Sequence, residues 1–105
     1  MPTNTNTNTL KPLYDFFARG SYTWTKGAIA RNNQGMNCIE KDPKAVSWCL
    51  LGALHTINGD SRSEMFFELD TRVRRTGAFS IAAWNDDFTR TYGQVMELLE
   101  QNDRG

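Results

Sequence analysis

The chain has 105 residues, and its 12 basic and 12 acidic side chains leave no net charge at neutral pH. A chain of this length suits one domain with one core, which buries roughly two thirds of the surface that the unfolded chain exposes. The balanced charge excludes a global attraction to nucleic acid or to anionic membranes. No apolar run approaches the roughly 20 residues that cross a bilayer, and the N-terminus lacks the apolar part of a signal peptide, so a cytoplasmic location is expected.

The N-terminal end is a stretch of threonine and asparagine with nothing apolar to bury. Residues 1–9 are therefore predicted to be a disordered tail, and residues 10–105 a single globular domain. A short helix is predicted from Leu10 to Gly20, since glycine commonly ends a helix. The apolar face of this helix should dock on the centre of the fold, and it carries Leu10, Leu13, Phe16 and Phe17.

The next segment, residues 22–39, contains two short apolar-rich runs on either side of the turn-forming sequence Asn-Asn-Gln-Gly. The pattern predicts a small β-hairpin. This hairpin must lie against helices, because a hairpin of its size is not stable alone. A helix over residues 25–31, followed by a loop, is the alternative interpretation.

An almost continuously apolar segment runs from Asp42 to Gly59. It starts with Asp-Pro and ends with Asn-Gly, which are typical helix start and stop signals, so the whole segment is predicted to be one helix. Because its apolar residues cover nearly the full circumference, this helix should be the central one. A strip of small residues where a second helix could approach it closely consists of Cys49, Gly52 and Ala53.

Two further helices are predicted in the C-terminal half. The first runs from Arg62 to about Thr76 behind a capping box at residues 61–64, with Gly77 as its terminator. The second runs from Asp86 to about Gln101, because Asn85, Asp86 and Asp87 are good helix caps. Their predicted buried residues are Met65, Phe66, Leu69, Val73, Phe88, Tyr92, Val95, Leu98 and Leu99. The expected fold is mainly α, with about four helices packed around the central apolar helix and the hairpin as a minor β part.

The residues that often carry catalysis or bind metals are few. Cys38 and Cys49 are expected to be free thiols, because a lone pair of cysteines without an export signal is more often reduced. Cys49 and His55 would point about 120° apart on one helix, so they cannot form a nucleophile–base dyad there. The spacing of these residues matches no metal site, and no phosphate-binding loop or nucleophile elbow occurs. No catalytic residue, cofactor or metal is therefore expected.

Trp84, Asn85, Asp86 and Arg90 form the one compact polar and aromatic cluster in the sequence. Asp86 and Arg90 are four residues apart, so they could pair across one helical turn. A helix cap with an ion pair is one interpretation of the cluster. The other is a binding site, in which Asn85 and Arg90 donate hydrogen bonds, Asp86 accepts them and Trp84 is an apolar wall.

Two weaker candidate sites concern nucleic acid. Arg72 and Arg75 belong to the densest basic run and share a helix face, which is expected to be a solvated face more than a nucleic-acid groove. Tyr22, Trp24 and Lys26 alternate on one face of the first predicted strand, where they could stack on bases, although Trp24 also suits the core.

Three segments carry a recognisable pattern: Trp24 with Gly27, the run from Trp48 to Leu54, and the run from Ile81 to Asp86 followed by Arg90. Together they resemble a family of small bacterial and bacteriophage domains that is known only as a domain of unknown function. The resemblance covers roughly residues 10–101. It implies a bacterial or phage origin and no assigned chemistry.

Since the sequence shows neither a catalytic constellation nor a cofactor fingerprint, we expect a non-enzymatic protein-binding domain of bacterial or phage origin. A phage accessory or anti-defence role fits its size. The alternative is a domain that binds a small ligand or nucleotide through the Trp84–Arg90 cluster. Nucleic-acid binding through the arginine run is a weaker alternative, so the expected partner is a protein, and neither nucleic acid nor a membrane.

Overall fold

The computed structural model describes residues 7–59 and 63–103. Within these ranges the chain forms five helices and one three-stranded antiparallel sheet, so the mainly α class with a minor β part is confirmed. The helices are α1 (Lys11–Phe17), α2 (Leu50–Asn58), α3 (Glu64–Arg75), α4 (Ile81–Asp86) and α5 (Tyr92–Glu100). The strands are β1 (Ala30–Asn32), β2 (Asn37–Cys38) and β3 (Ala45–Trp48), in the order β2-β1-β3. In the same ranges, no helix is both long and apolar enough to cross a membrane.

The first helix forms where the sequence predicts one. The side chain of Asn8 accepts a hydrogen bond from the free N–H of Leu10 at 3.0 Å, and α1 ends before Gly20. Leu10, Leu13 and Phe17 are fully buried in the core. Helix α1 packs on α2, as expected for the central helix, and also on α5.

The predicted hairpin is present as β1 and β2, which pair antiparallel with Ala30 opposite Cys38. The Asn-Asn-Gln-Gly turn joins the two strands, and Gly35 has the left-handed φ of 77° that glycine adopts without strain. The strand β1 takes up only the end of the first apolar run, and Ser21–Thr23 near its start forms a single turn of 3-10 helix. The alternative helix over residues 25–31, all of which the structure describes, does not form.

The prediction of one central helix is wrong in its first half. Residues Ala45–Trp48 form β3, which pairs with β1 and thereby satisfies backbone groups that a helix would have satisfied internally. The segment also alternates as a strand does, since Val46 is exposed and Ser47 is buried. Asp42 accepts a hydrogen bond from the N–H of Lys44 at 2.8 Å in a local turn, and it caps no helix.

Helix α2 begins at Leu50 and is closed at both ends by its own sequence. Cys49 is the N-cap, with Sγ accepting from the N–H of Gly52 at 3.3 Å, and Gly59 ends the helix with a left-handed φ of 69°, as predicted. The prediction that a second helix approaches the small-residue strip is wrong at Gly52. This residue faces the backbone of Ile29, and a Cβ atom on it would lie 2.2 Å from the carbonyl oxygen of Ile29.

Helix α3 lies close to its predicted position. Ser63 caps it by accepting from the N–H of Phe66 at 3.2 Å, whereas the predicted capping box starts at Ser61, outside the described residues. Gly77 follows the helix with a φ of 94°, as predicted. The predicted inward stripe is confirmed, since Phe66 is half-buried and the buried residues include Met65, Leu69 and Val73.

The prediction of one last helix that starts at Asp86 is wrong. Helix α4 ends at Asp86, and α5 starts at Tyr92 behind a capping box formed by Thr91 and Gln94. The connection between them leaves Phe88 94% exposed, so its predicted burial is also wrong. On α5 the predicted burial of Val95, Leu98 and Leu99 is confirmed, and Tyr92 is half-buried.

Both ends of the described chain meet at a buried arginine. Arg72 is 2% exposed and donates to the carboxylates of Glu68 and Asp103 at 2.7 and 2.9 Å. Asp103 in turn accepts from the N–H and hydroxyl of Thr9, and its own N–H donates to the carbonyl of Thr7 at 2.7 Å. Residues 7–9 of the predicted tail are therefore bound to the C-terminal segment, and residues 1–6 lie outside the described ranges. The prediction that Arg72 lies on a solvated face is wrong.

Candidate functional site

Asn85 is a structural connector more than a binding group. Its side chain is 1% exposed, and its Oδ1 accepts from Trp24 Nε1 at 2.8 Å and from the N–H of Leu50 at 3.1 Å. Its Nδ2 donates to the carbonyl of Thr25 at 3.1 Å and to Asp86 Oδ1 at 2.9 Å. Because a primary amide offers two donor hydrogens and two lone pairs, these four bonds use its whole capacity. Asn85 therefore joins the segment before β1, the start of α2 and α4.

The predicted pairing of Asp86 with Arg90 does not occur. Because α4 ends at Asp86, Arg90 is not one helical turn further along the same helix. Its guanidinium lies 3.9 Å from the centroid of the Trp84 ring, and its Nε donates to the carbonyl of Trp84 at 2.8 Å. Asp86 Oδ1 instead accepts from the N–H of Gly27 at 3.0 Å.

The four clustered residues are divided between two different cavities. Asn85 and Asp86 line a first cavity of about 260 Å³, and Trp84 and Arg90 line a separate one of about 330 Å³. The cavity at Arg90 is polar and wide open, and Gln94 and Glu97 of α5 form part of its wall. The structure therefore does not bring all four predicted residues to one site.

The first cavity is mainly apolar and lies between α4, the start of α2 and the segment before β1. Its walls consist of Gly27, Ala28, Ile29, Cys49, Leu51, Ile81, Ala82, Asn85 and Asp86. A second mainly apolar cavity of about 230 Å³ adjoins it, and its walls consist of Leu51, Phe66, Asp70, Arg74, Ser80, Ile81 and Ala82. Both cavities share Leu51, Ile81 and Ala82, so they lie side by side, and together they are here called the α4 groove.

Local sequence features build the walls of the α4 groove. Gly52 has no side chain, so the start of α2 can approach the backbone of Ile29, and the N–H of Cys49 donates to the Ile29 carbonyl at 3.1 Å. On the opposite wall, Ser80 caps α4 by accepting from the N–H of Ala83 at 3.1 Å. The glycine and the cap thus bring a loop and two helices together around an apolar space.

The groove carries little charge. Asp86 is the charged residue that lines the first cavity, and the charges of the second, Asp70 and Arg74, pair with each other at 2.9 Å. Burial raises the pKa of the Cys49 thiol, so this side chain is neutral at physiological pH and acts as apolar wall. Beside the groove, hydrogen bonds from Thr89 lower the pKa of Asp87 and keep its carboxyl ionised.

Two large apolar side chains are left in water at the ends of α4. Phe79, just before the helix, is 86% exposed, and Phe88, just after it, is 94% exposed. A single exposed apolar side chain is ordinary, but exposed apolar residues at both ends of a helix that lines an apolar depression are a feature of many interaction surfaces.

The weaker candidates do not form a basic or stacking surface in the described parts of the chain. Arg72 is buried, Arg74 pairs with Asp70, and Arg75 is exposed. Trp24 donates to Asn85, and Lys26 Nζ lies 3.0–3.2 Å from the carbonyls of Asp87, Phe88 and Arg90. Tyr22 belongs to a 3-10 turn, so the predicted alternation of Tyr22, Trp24 and Lys26 on a strand is wrong.

The cysteines and the histidine are separated in the structure. Cys38 and Cys49 are free thiols, and His55 Nδ1 lies 3.3 Å from Glu40 Oε2. Within the described ranges no group of three or more histidine, cysteine, aspartate or glutamate residues is placed to hold a metal ion.

The α4 groove was not predicted from the sequence, because its wall residues lie in several segments that are distant along the chain. Leu51 lies in the segment that was predicted to be the central helix, and Ile81 and Ala82 lie between the two predicted C-terminal helices. The available signal was Ser80, a good helix cap placed directly before an apolar run. A helix that starts after Ser80 would be separate from the last helix, and Phe79 would lie before it.

The chain belongs to a family of unknown function, DUF6197, whose model matches residues 20–102. The expected resemblance to a family without assigned chemistry is thereby confirmed. Neither the curated proteins nor the solved structures contain a match to the chain.

Proposed function

We propose that the chain is a non-enzymatic protein-binding domain of bacterial or phage origin, and that its α4 groove receives apolar side chains of a partner protein. The observation that carries this proposal is the pair of mainly apolar cavities, which share Leu51, Ile81 and Ala82 as a common wall. A phage accessory or anti-defence role is one setting for such a domain, and the identity of the partner would test it.

The size of the cavities favours side chains of a protein over a free ligand. Pockets for small molecules usually enclose about 300–1,000 Å³. The two cavities of the groove measure about 260 and 230 Å³, which suits one large apolar side chain each. Protein interfaces draw most of their affinity from a few such anchors in central pockets. Phe79 and Phe88 add exposed apolar surface at the two ends of α4, the helix whose Ile81 and Ala82 line both cavities.

Hydrogen bonds within the protein already occupy Asn85 and part of Arg90, which disfavours the alternative that the Trp84–Arg90 cluster binds a small ligand. A polar ligand needs donors and acceptors that are available to it, because an unpaired polar group in a buried site costs binding free energy. The amide of Asn85 is fully used inside the protein, and Arg90 is stacked on Trp84 with its Nε bound to a carbonyl. The cavity at Arg90 remains the place where such a ligand would be sought.

Two matched variants on α4 test the proposal. Ala82 and Ala83 are adjacent and both exposed, but only Ala82 lines the groove. Ala82→Arg should therefore fill and charge the groove, whereas Ala83→Arg should leave it open. We expect tagged wild-type protein and the Ala83→Arg variant to capture the same dominant partner from a bacterial host lysate after nuclease treatment, and Ala82→Arg to lose it.

Three outcomes would contradict the proposal, provided that thermal unfolding shows both variants to be folded. Equal capture by all three proteins would exclude the groove as the binding surface. Capture that disappears on nuclease treatment would indicate nucleic acid as the partner, and a steep loss with salt would support that reading. Capture lost in both variants would show that the effect of Ala82→Arg is not specific to the groove.

A further inference from the structure

The α4 groove combines apolar walls with a carboxylate of fixed orientation. Asp86 Oδ1 is held from two sides, by the N–H of Gly27 at 3.0 Å and by Nδ2 of the buried Asn85 at 2.9 Å. The residue itself is exposed at the edge of the first cavity. A carboxylate that is already oriented loses little side-chain freedom when it meets a cation.

No cation among the described residues pairs with Asp86. The nearby cations are occupied elsewhere: Arg31 donates to Thr25, Lys26 and Asn37, and Arg90 stacks on Trp84. Lys26 Nζ is bound to the carbonyls of Asp87, Phe88 and Arg90. None of these three lies within 4.0 Å of the Asp86 carboxylate. Because Asp70 and Arg74 neutralise each other, Asp86 is the unbalanced charge on the described walls of the groove.

We infer that the partner segment held by the α4 groove carries a large apolar side chain close to a lysine or arginine. The apolar side chain enters the first cavity, and the basic side chain meets Asp86 at its edge. This charge complementarity favours the basic partner and disfavours an acidic one, which would face a like charge. The inference rests on the proposed function, since it names the chemistry of the segment that the groove binds.

A library of random dodecapeptides displayed on phage is the probe for this inference. The 105-residue chain is used for selection, and peptides that also bind the Ala82→Arg variant are removed, so that the remaining peptides depend on the groove. We expect the selected sequences to contain a large apolar residue with lysine or arginine one or two positions away. Synthetic versions of these peptides then give dissociation constants by fluorescence anisotropy.

The role of Asp86 is tested with Asp86→Asn, which keeps the oxygen that accepts from Gly27 and Asn85 but removes the charge. It should weaken binding about two- to fivefold, the effect typical of an exposed ion pair. Glu100→Gln is the control, because Glu100 is exposed, carries the same charge and lines neither cavity. Replacing the basic peptide residue with glutamine should weaken binding to the wild type but not to Asp86→Asn.

The possible results separate this inference from the proposed function. Groove-dependent peptides without a basic residue, or unchanged affinity in Asp86→Asn, would overturn the inference and leave the protein-binding proposal standing. If no peptide distinguishes the wild type from Ala82→Arg, both are overturned. If sedimentation shows that the wild type self-associates and that Ala82→Arg is monomeric, the groove binds a second copy and the inference is wrong.

Discussion

Asn85 and Gly52 show how single residues determine the shape of the groove. The four hydrogen bonds of Asn85 join three segments that are distant in sequence, and Gly52 allows two of these segments to touch. Both residues stood out in the sequence, Asn85 as a cap or ligand donor and Gly52 as part of a helix-packing strip. The sequence thus indicated that both residues have particular roles. It did not indicate their contact partners, because these lie in segments that are distant along the chain.

Gly52→Ala is expected to destabilise the protein by about 1–3 kcal/mol, because the new Cβ would overlap the carbonyl oxygen of Ile29 at 2.2 Å. Urea denaturation measures this free energy of unfolding. Gly93→Ala is the matched control, since a Cβ there meets only Thr91 Oγ1 at 3.8 Å, and it should be neutral or stabilising by up to about 1 kcal/mol. If both substitutions changed the free energy of unfolding equally, the backbone at Ile29 would be able to move away from the new Cβ atom at no cost, and the prediction would be wrong.

At the scale of elements, both ends of the described chain, residues 7–9 and Asp103, are held by a buried charge network that centres on Arg72 of α3. The Arg72 guanidinium also donates to the carbonyl of Leu98 at 2.9 Å and to Asn8 Oδ1 at 3.0 Å, besides its two carboxylate partners. A buried arginine is tolerated only with such extensive pairing. The sequence did not indicate this role, because Arg72 lies in a basic run and its partners Asn8, Leu98 and Asp103 are distant along the chain.

This network should make stability depend on pH in acid. Burial alone would raise the pKa of Asp103, but hydrogen bonds from Thr9 and the charge of Arg72 outweigh it and lower the pKa in the folded state. The stabilisation is therefore present above the ordinary carboxyl pKa of about 4, and it is lost as the pH falls through the lowered folded-state value. Asp103→Asn should be about 1 kcal/mol less stable than the wild type at pH 7.

Urea denaturation at pH 7 and at pH 3 checks this prediction. The difference between wild type and Asp103→Asn should shrink at the lower pH, because the carboxyl is then protonated in the unfolded state, whose pKa is about 4, and part of the stabilisation is lost. Asp15→Asn is the control, since Asp15 is exposed and forms an exposed pair with Lys11. A difference between wild type and Asp103→Asn that stays constant with pH would argue against an ionised, bound Asp103.

At the scale of the whole molecule, helix α1 belongs to the core although it precedes the range that the family model matches. The match begins at residue 20, whereas the core contains three fully buried side chains of the preceding segment, Leu10, Leu13 and Phe17. Removing such side chains from a core costs about 2–5 kcal/mol each, and a domain is stable by only about 5–15 kcal/mol. The domain therefore needs more of the chain than the matched range.

Deletion of residues 1–19 is consequently expected to abolish cooperative folding. Thermal unfolding followed by circular dichroism should show no sharp transition for residues 20–105, in contrast to the full chain. The substitution Asp15→Ala, at an exposed position of α1, should leave the transition unchanged within a few degrees. A cooperative transition in the truncated chain would show that α1 is dispensable for the core.

Local signals in the sequence were sufficient for several elements of this fold. Gly59 and Gly77 marked the ends of α2 and α3, the Asn-Asn-Gln-Gly turn marked the hairpin, and helical spacing marked Leu69, Val73 and Val95 as core. These signals act within a few residues, so their energetics are nearly the same in any context. The mainly α class followed from them.

Local signals failed where two structures of similar local free energy competed. Residues 45–48 can form either a helix or a strand, and pairing with β1 selected the strand. Residues 80–91 contain several possible cap residues; Ser80 caps α4, which ends at Asp86, and Thr91 caps α5, which starts at Tyr92. The predicted Asp86–Arg90 pair was lost because α4 ends at Asp86.

By itself, therefore, the sequence determined the class of fold, the balanced charge, most helix ends and the family to which the chain belongs. Only the tertiary structure decided that Asn85 is enclosed, that Arg72 holds the chain ends, and that Leu51, Ile81 and Ala82 face a groove. The physical reason is that caps and turns are made by neighbouring residues. A groove and a buried charge network exist only when segments far apart in the chain enclose the same space.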